Sequence, residues 1–172
     1  MTVVTPYPRL LPWCVSADSF MVMRGFSQRE RQIVLIACAA KKRTSACAAR
    51  DLYVGDLFQK SLQFAKLLSP DAIYILSAEH GLVSLEDRLV PYNETLNSKS
   101  ASQRRAWATR VLEQLRHVAD CQRDQFTFLA GEKYREFLLP HLSKTSIPME
   151  GLKIGQQLQF LRRKLRQSDG AM

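Results

Sequence analysis

The chain has 172 residues, 46% of them hydrophobic, and a formal net charge of +9. That length holds one domain with a sizeable core but hardly two, and no apolar run approaches the roughly 20 residues a membrane-spanning helix needs. So basic a chain favours polyanions, which makes nucleic acid or a phosphorylated ligand the expected partner class; without a long apolar run, no membrane partner is expected.

Residues 1–30 read as an irregular extension, with three prolines before Trp13 and no periodicity that would bury them. A single domain is expected over 31–167, followed by a short tail at 168–172. Strand one (32–38) opens into a basic loop that ends near Tyr53-Val54-Gly55. Asp56 is placed to cap a helix to Leu68, whose stripe of Phe58, Leu62 and Ala65 would be buried. Pro70 ends that helix, and strand two (72–76) runs into Ser77-Ala78-Glu79-His80-Gly81. Residues 84–99 show no period, and a loop of that length in a compact domain usually has a function or moves. Ser100 caps a helix to about Ala119, with Trp107, Val111, Leu115 and Val118 on one face. Strand three (125–129) follows, then a helix from Glu132 to Leu142, a short edge strand around Ile147 within 144–150, and a last helix over 153–166.

Short apolar strands alternating with helices read as parallel βαβ units. The fold expected is α/β, a three-layer sandwich with a short, mainly parallel sheet and helices on both faces. Ligands of such sheets bind beyond the carboxyl ends of the strands, so the three polar bursts that follow the strands should converge on one edge.

Each burst carries residues suited to chemistry. Lys41 and Lys42 follow strand one in a loop of alanines, where small side chains let a phosphate or carboxylate approach; a solvated turn is the bland alternative. Cys38 is either a nucleophile beside two lysines or a small buried hydrophobe. His80 suits proton transfer, with Glu79 beside it and Gly81 permitting a left-handed turn. Arg50 and Asp51 either pair with each other or serve the site, Asp51 as general base, with Tyr53 as a stacking platform. Ser77, Tyr92, Asn93, Gly131, Tyr134 and Arg135 are the remaining ligand candidates. Arg104 and Arg105 on one helix and Arg162 and Arg163 on another could follow a nucleic-acid backbone, or form solvated faces.

Four cysteines, at 14, 38, 47 and 121, make no CxxC pair and no zinc-spaced cluster. Reduced thiols in a cytoplasmic protein are the simplest reading. The three histidines, at 80, 117 and 141, lack a carboxylate motif at ligand spacing, so neither metal nor cofactor is expected.

The segments Ile36–Lys42, Ala49–Tyr53, Ile75–Leu82, Pro91–Leu96, Ala130–Arg135 and Gly151–Gln157 together resemble the signatures of a small bacterial and phage family of unknown function. The resemblance spans about 32–165, and members are often labelled peroxide-stress proteins of the YaaA type. The Cys-x-x-Lys-Lys loop is also similar to one in the base-modifying domain of archaeosine synthase, which has a uracil-DNA-glycosylase-like fold. Ala39 stands where relatives commonly carry serine or another small residue, and Glu79 where lysine or arginine also occurs. The likeness implies a nucleobase or nucleic-acid ligand. The expected function is therefore a nucleobase- or nucleotide-directed enzyme working by glycosidic-bond or base-modification chemistry. The alternative is a non-enzymatic DNA-binding protein linked to oxidative stress.

Overall fold

The alternation of side chains along the first strand decides the layering, since successive residues face opposite sides of a sheet. The computed structural model describes residues 29–169, so the expected extension lies almost wholly outside the described residues. Five strands form one sheet in the order β4 (Gly81–Ser84), β3 (Ala72–Ser77), β1 (Gln32–Ala37), β6 (Gln125–Leu129), β7 (Lys144–Ser146). All neighbours are parallel except β3 and β4, which pair antiparallel at one edge. Ile33 and Leu35 pack with Phe126, Phe128 and the apolar stripe of α3 (Ala101–Val118). Val34 and Ile36 pack on the other face, against Phe58, Leu62 and Ala65 of α2 (Asp56–Leu67) and Leu161 of α5 (Ile154–Asp169). Each of these large apolar side chains contributes roughly 1.5–3 kcal/mol through burial. The result is an α/β domain with a mainly parallel sheet between two helical layers, as the sequence leads one to expect.

β1 connects to β3 through α2 on one face, while β6, on the other side of β1, is entered from α3 on the opposite face. Strands are thus added to one side of β1 and then to the other, and such a switch point leaves a crevice beyond its carboxyl end.

Four expectations need correction. Asp56 is not the helix cap: Gly55 occupies that position, and Asp56 pairs within and beyond the first turn with Lys60 (2.8 Å) and Arg162 (3.2 Å). The helix from Glu132 to Leu142 is broken into α4 (Glu132–Arg135) and a 3-10 turn over Leu139–His141. Pro140 lies in that turn, where it cannot donate to the helical ladder and would clash with the preceding turn. Ile147 falls just beyond the edge strand, which ends at Ser146. Residues 84–99 are not structureless either. β5 (Arg88–Leu89) pairs with β2 (Cys47–Ala48), and Leu85 and Asp87 accept from the first residues of α1 (Ala49–Leu52). That docking ties the second loop to the one after β1, the step that carries Tyr92 to the strand ends.

Candidate functional site

The chain leaves the sheet after β1 gradually. The Cys38 N–H still donates to Leu76 across the sheet (3.0 Å), and the backbone then returns through a bridge between Lys42 and Tyr53. Consecutive side chains on such extended backbone diverge, and the two lysines do. Lys41 lines a cavity between β1 and β6, whereas the Lys42 ammonium lies 4.2 Å from the Tyr92 ring centre and 5.7 Å from that of Tyr53. Cys38 sits between these two environments.

On the Lys42 side, hydroxyls form a chain. Tyr53 and Tyr92 share a hydrogen bond of 2.7 Å, Tyr92 and Ser77 one of 2.8 Å, and the His80 backbone N–H donates to Ser77 Oγ at 3.0 Å. The Tyr134 hydroxyl lies 3.4 Å from Cys38 Sγ. Burial pushes the Tyr53 phenol up to about 12, against the pull of its hydrogen bond from Tyr92, and the charge of Cys38 adds to the rise. Burial followed by Cys38 likewise raises Tyr92 and Tyr134. All three phenols therefore remain protonated donors at neutral pH. Burial lowers the Lys42 pKa from its ordinary value, with Cys38 opposing the shift.

On the Lys41 side, the cavity measures about 360 Å³ and is walled by Phe58, Leu129, Met149 and Leu158, with Ala39, Gly55 and Gly131 giving backbone access. Gln157 reaches it from α5 while its amide N–H donates to Leu152 O (2.7 Å). Among the described residues no three His, Cys, Asp or Glu side chains come together to hold a metal ion.

The structure thus brings Cys38, Lys42, Tyr53, Ser77, Tyr92 and Tyr134 into one cluster, with Lys41 and Gly131 at the adjoining cavity. His80 stands at the outer rim, exposed, its ring edge-on to Tyr92 at 5.1 Å between centres. Other candidates lie elsewhere. The Asp51 carboxylate is half exposed and pairs with Arg50 at 3.5 Å, and Arg50 also pairs with Glu86. Glu79 is exposed, and its carbonyl accepts from Arg110 (2.7 Å). Asn93 is exposed too. Arg135 pairs with Glu150 at 3.1 Å. Arg104 is held by Glu136 and by the Lys99 carbonyl, Arg105 stacks on Phe137, Arg162 pairs with Asp56, and Arg163 lies over Phe160. The first two arginines belong to α3 and the last two to α5, so the sheet separates them.

Two supporting residues have no functional role in the sequence reading. The buried Trp107 indole donates to the Ser77 carbonyl at 2.8 Å and meets the Tyr134 ring edge-on at 5.8 Å. Gln114, two turns further along α3, accepts from Leu82 N–H (2.8 Å) and donates to the His80 carbonyl (3.2 Å). A buried indole N–H always demands a partner, which was the available signal for Trp107.

Gly81 has φ +79°, and a Cβ there would lie 2.2 Å from Gln114 Oε1. Gly81→Ala is expected to cost about 2 kcal/mol, from the left-handed backbone and from displacement of Gln114 out of its two hydrogen bonds. Thermal unfolding should show a fall of roughly 4–8 °C.

No curated protein and no solved structure matches the chain. A family model does match, over residues 33–163, a span that takes in β1, the whole cluster and most of α5. The chain belongs to DUF6884, a family of unknown function.

Proposed function

We propose that the protein is an enzyme acting on a nucleobase or nucleotide, by glycosidic-bond cleavage or base modification. The observation that carries this reading is the double position of Cys38, which borders the cavity and contacts the Tyr134 hydroxyl in the donor cluster. A ligand seated in the cavity would therefore present its reacting part to a thiol, a lysine and phenolic donors. The cavity volume lies within the usual range for small-molecule sites, and its apolar walls suit a flat base. The excess positive charge and the Lys42 ammonium beside the cluster suit a phosphate. The likeness of the Cys38–Lys42 loop to one in the base-modifying domain of archaeosine synthase, of uracil-DNA-glycosylase-like fold, points to the same chemistry by analogy. In this reading Asp51 and Glu79, whose carboxylates face solvent, transfer no protons, and His80 serves the rim.

Thermal shifts against nucleobases, nucleosides, nucleotides and oligonucleotides test it, together with chromatography for released or exchanged base. The expected result is stabilisation by a nucleoside or nucleotide that disappears in Leu158→Trp, which fills the cavity, and turnover that disappears in Cys38→Ala. Stabilisation by long oligonucleotides alone, unchanged in both variants, would replace this reading with non-enzymatic backbone binding.

A further inference from the structure

The two adjacent lysines are not equivalent, and Lys42 is the unusual one. Ammonium groups withdrawn from water normally pair with a carboxylate. Lys42 is half-buried, yet among the described residues no carboxylate pairs with it: its ammonium lies over two neutral rings, 3.5 Å from the Ala40 carbonyl, with the Cys38 thiol nearby. The two carboxylates that the sequence offers the site, Asp51 and Glu79, are turned to solvent.

The hydroxyl chain beside it has an uncompensated donor. Tyr53, Tyr92 and Ser77 bring three O–H protons to two shared contacts, while Ser77 Oγ already accepts from His80 N–H. One hydroxyl proton is left to seek an acceptor outside the chain. Tyr53 and Ser77 are fully buried and Tyr92 only half, so with Tyr92 accepting from both its O–H is the donor left for an acceptor on the Lys42 side. A cation lacking a carboxylate and a surplus neutral donor both call for the same complement, a compact group with several anionic oxygens.

We propose that Lys42, with the Tyr53–Tyr92–Ser77 hydroxyls, forms a phosphate subsite separate from the cavity that Lys41 lines. Its identification as part of a nucleotide site rests on the functional reading above, but its geometry does not. A phosphate held there lies across Cys38 from the cavity, so a ligand spanning both would carry its bond to the base over the thiol.

The test is a thermal-shift titration with inorganic phosphate, with chloride at equal ionic strength as the comparison. Wild type, Lys42→Met, Lys42→Arg and Lys41→Met are compared, each first checked for an unchanged far-ultraviolet spectrum. Phosphate should stabilise wild type, Lys42→Arg and Lys41→Met, with affinity falling roughly tenfold or more in Lys42→Met. Equal affinity in Lys42→Met and wild type, loss in Lys41→Met instead, or an equal effect of chloride would each overturn the subsite. Adding a nucleoside then identifies the source of the phosphate. Displacement of phosphate by the nucleoside monophosphate but not by the nucleoside marks the subsite as holding the nucleotide's own phosphate, whereas joint binding of nucleoside and phosphate marks inorganic phosphate as a co-ligand. Nucleosides that bind while phosphate does not would sink the subsite and leave the nucleotide reading standing. Phosphate that binds through Lys42 while no nucleoside or nucleotide binds would do the reverse.

Discussion

Asp124→Ala is expected to remove about 3 kcal/mol of stability, read as a fall of roughly 6–12 °C in the thermal midpoint. The carboxylate is almost completely buried at the start of β6. One oxygen accepts from the Arg31 backbone N–H (3.1 Å), and the other from the Arg31 guanidinium (2.8 Å) and the Asp120 N–H (2.9 Å). Alanine removes the acceptor shared by the Arg31 and Asp120 N–H groups, while the Arg31 guanidinium keeps its bond to the Val118 carbonyl (2.8 Å), and it loosens the pairing of β1 with β6 at the end where both begin. Burial alone would raise the Asp124 pKa, but the Asp120 N–H and the two Arg31 donors outweigh it and hold the carboxyl below its ordinary value. A depressed carboxyl pKa gives stability that is complete above the unfolded value of about 3.9 and fades as pH falls through the folded value. Wild type should therefore lose this contribution only below about pH 4. Asp124→Ala, already without it, should show a shallower acid dependence. An unchanged midpoint, or an unchanged acid limb in the variant, would refute the assignment.

The strands β1, β3 and β6 and the three long helices were legible because their signals are local. The run Gln125–Phe128 alternates half-buried and buried residues, and Ser100 with Gln103 forms the reciprocal cap that starts α3. What could not be read were contacts between segments far apart in sequence. The pairing of β2 with β5 involves two residues on each side, too short to leave a period, yet it decides where Tyr92 goes. Cys38, Lys42, Ser77 and Tyr134 could be collected because each ends or follows a parallel strand, and parallel strands share an exit edge. Asp51 and Arg50 look equally chemical in the sequence. They belong to a four-residue helix that turns Leu52 and Ala49 inward, which leaves their own side chains outward. Residue type alone does not reveal which way such a short helix faces. The two arginine pairs lie in different layers for a similar reason: helical periodicity shows a polar face but not which layer the helix joins.

Trp107 links that packing to the site, and its replacement is expected to have the largest effect of any described here. Trp107→Ala should cost about 3–5 kcal/mol, a fall of roughly 6–20 °C, by opening a cavity between α3 and the sheet. Part of the loss is polar: the Ser77 carbonyl, in a fully buried residue, would lose the indole N–H it accepts from. Trp107→Phe separates the two contributions. It keeps an aromatic surface against Tyr134 while removing the donor, so about 1–3 kcal/mol of the loss should persist, the penalty of an unsatisfied buried carbonyl. The same carbonyl belongs to the residue whose hydroxyl holds Tyr92, and the Tyr134 ring that leans on the indole carries the hydroxyl facing Cys38. Trp107→Phe should therefore weaken ligand-induced stabilisation as well as the fold, under conditions where circular dichroism still reports a native chain. A variant that loses stability but binds its ligand as wild type does would show that α3 supports the sheet without setting the geometry of the cluster.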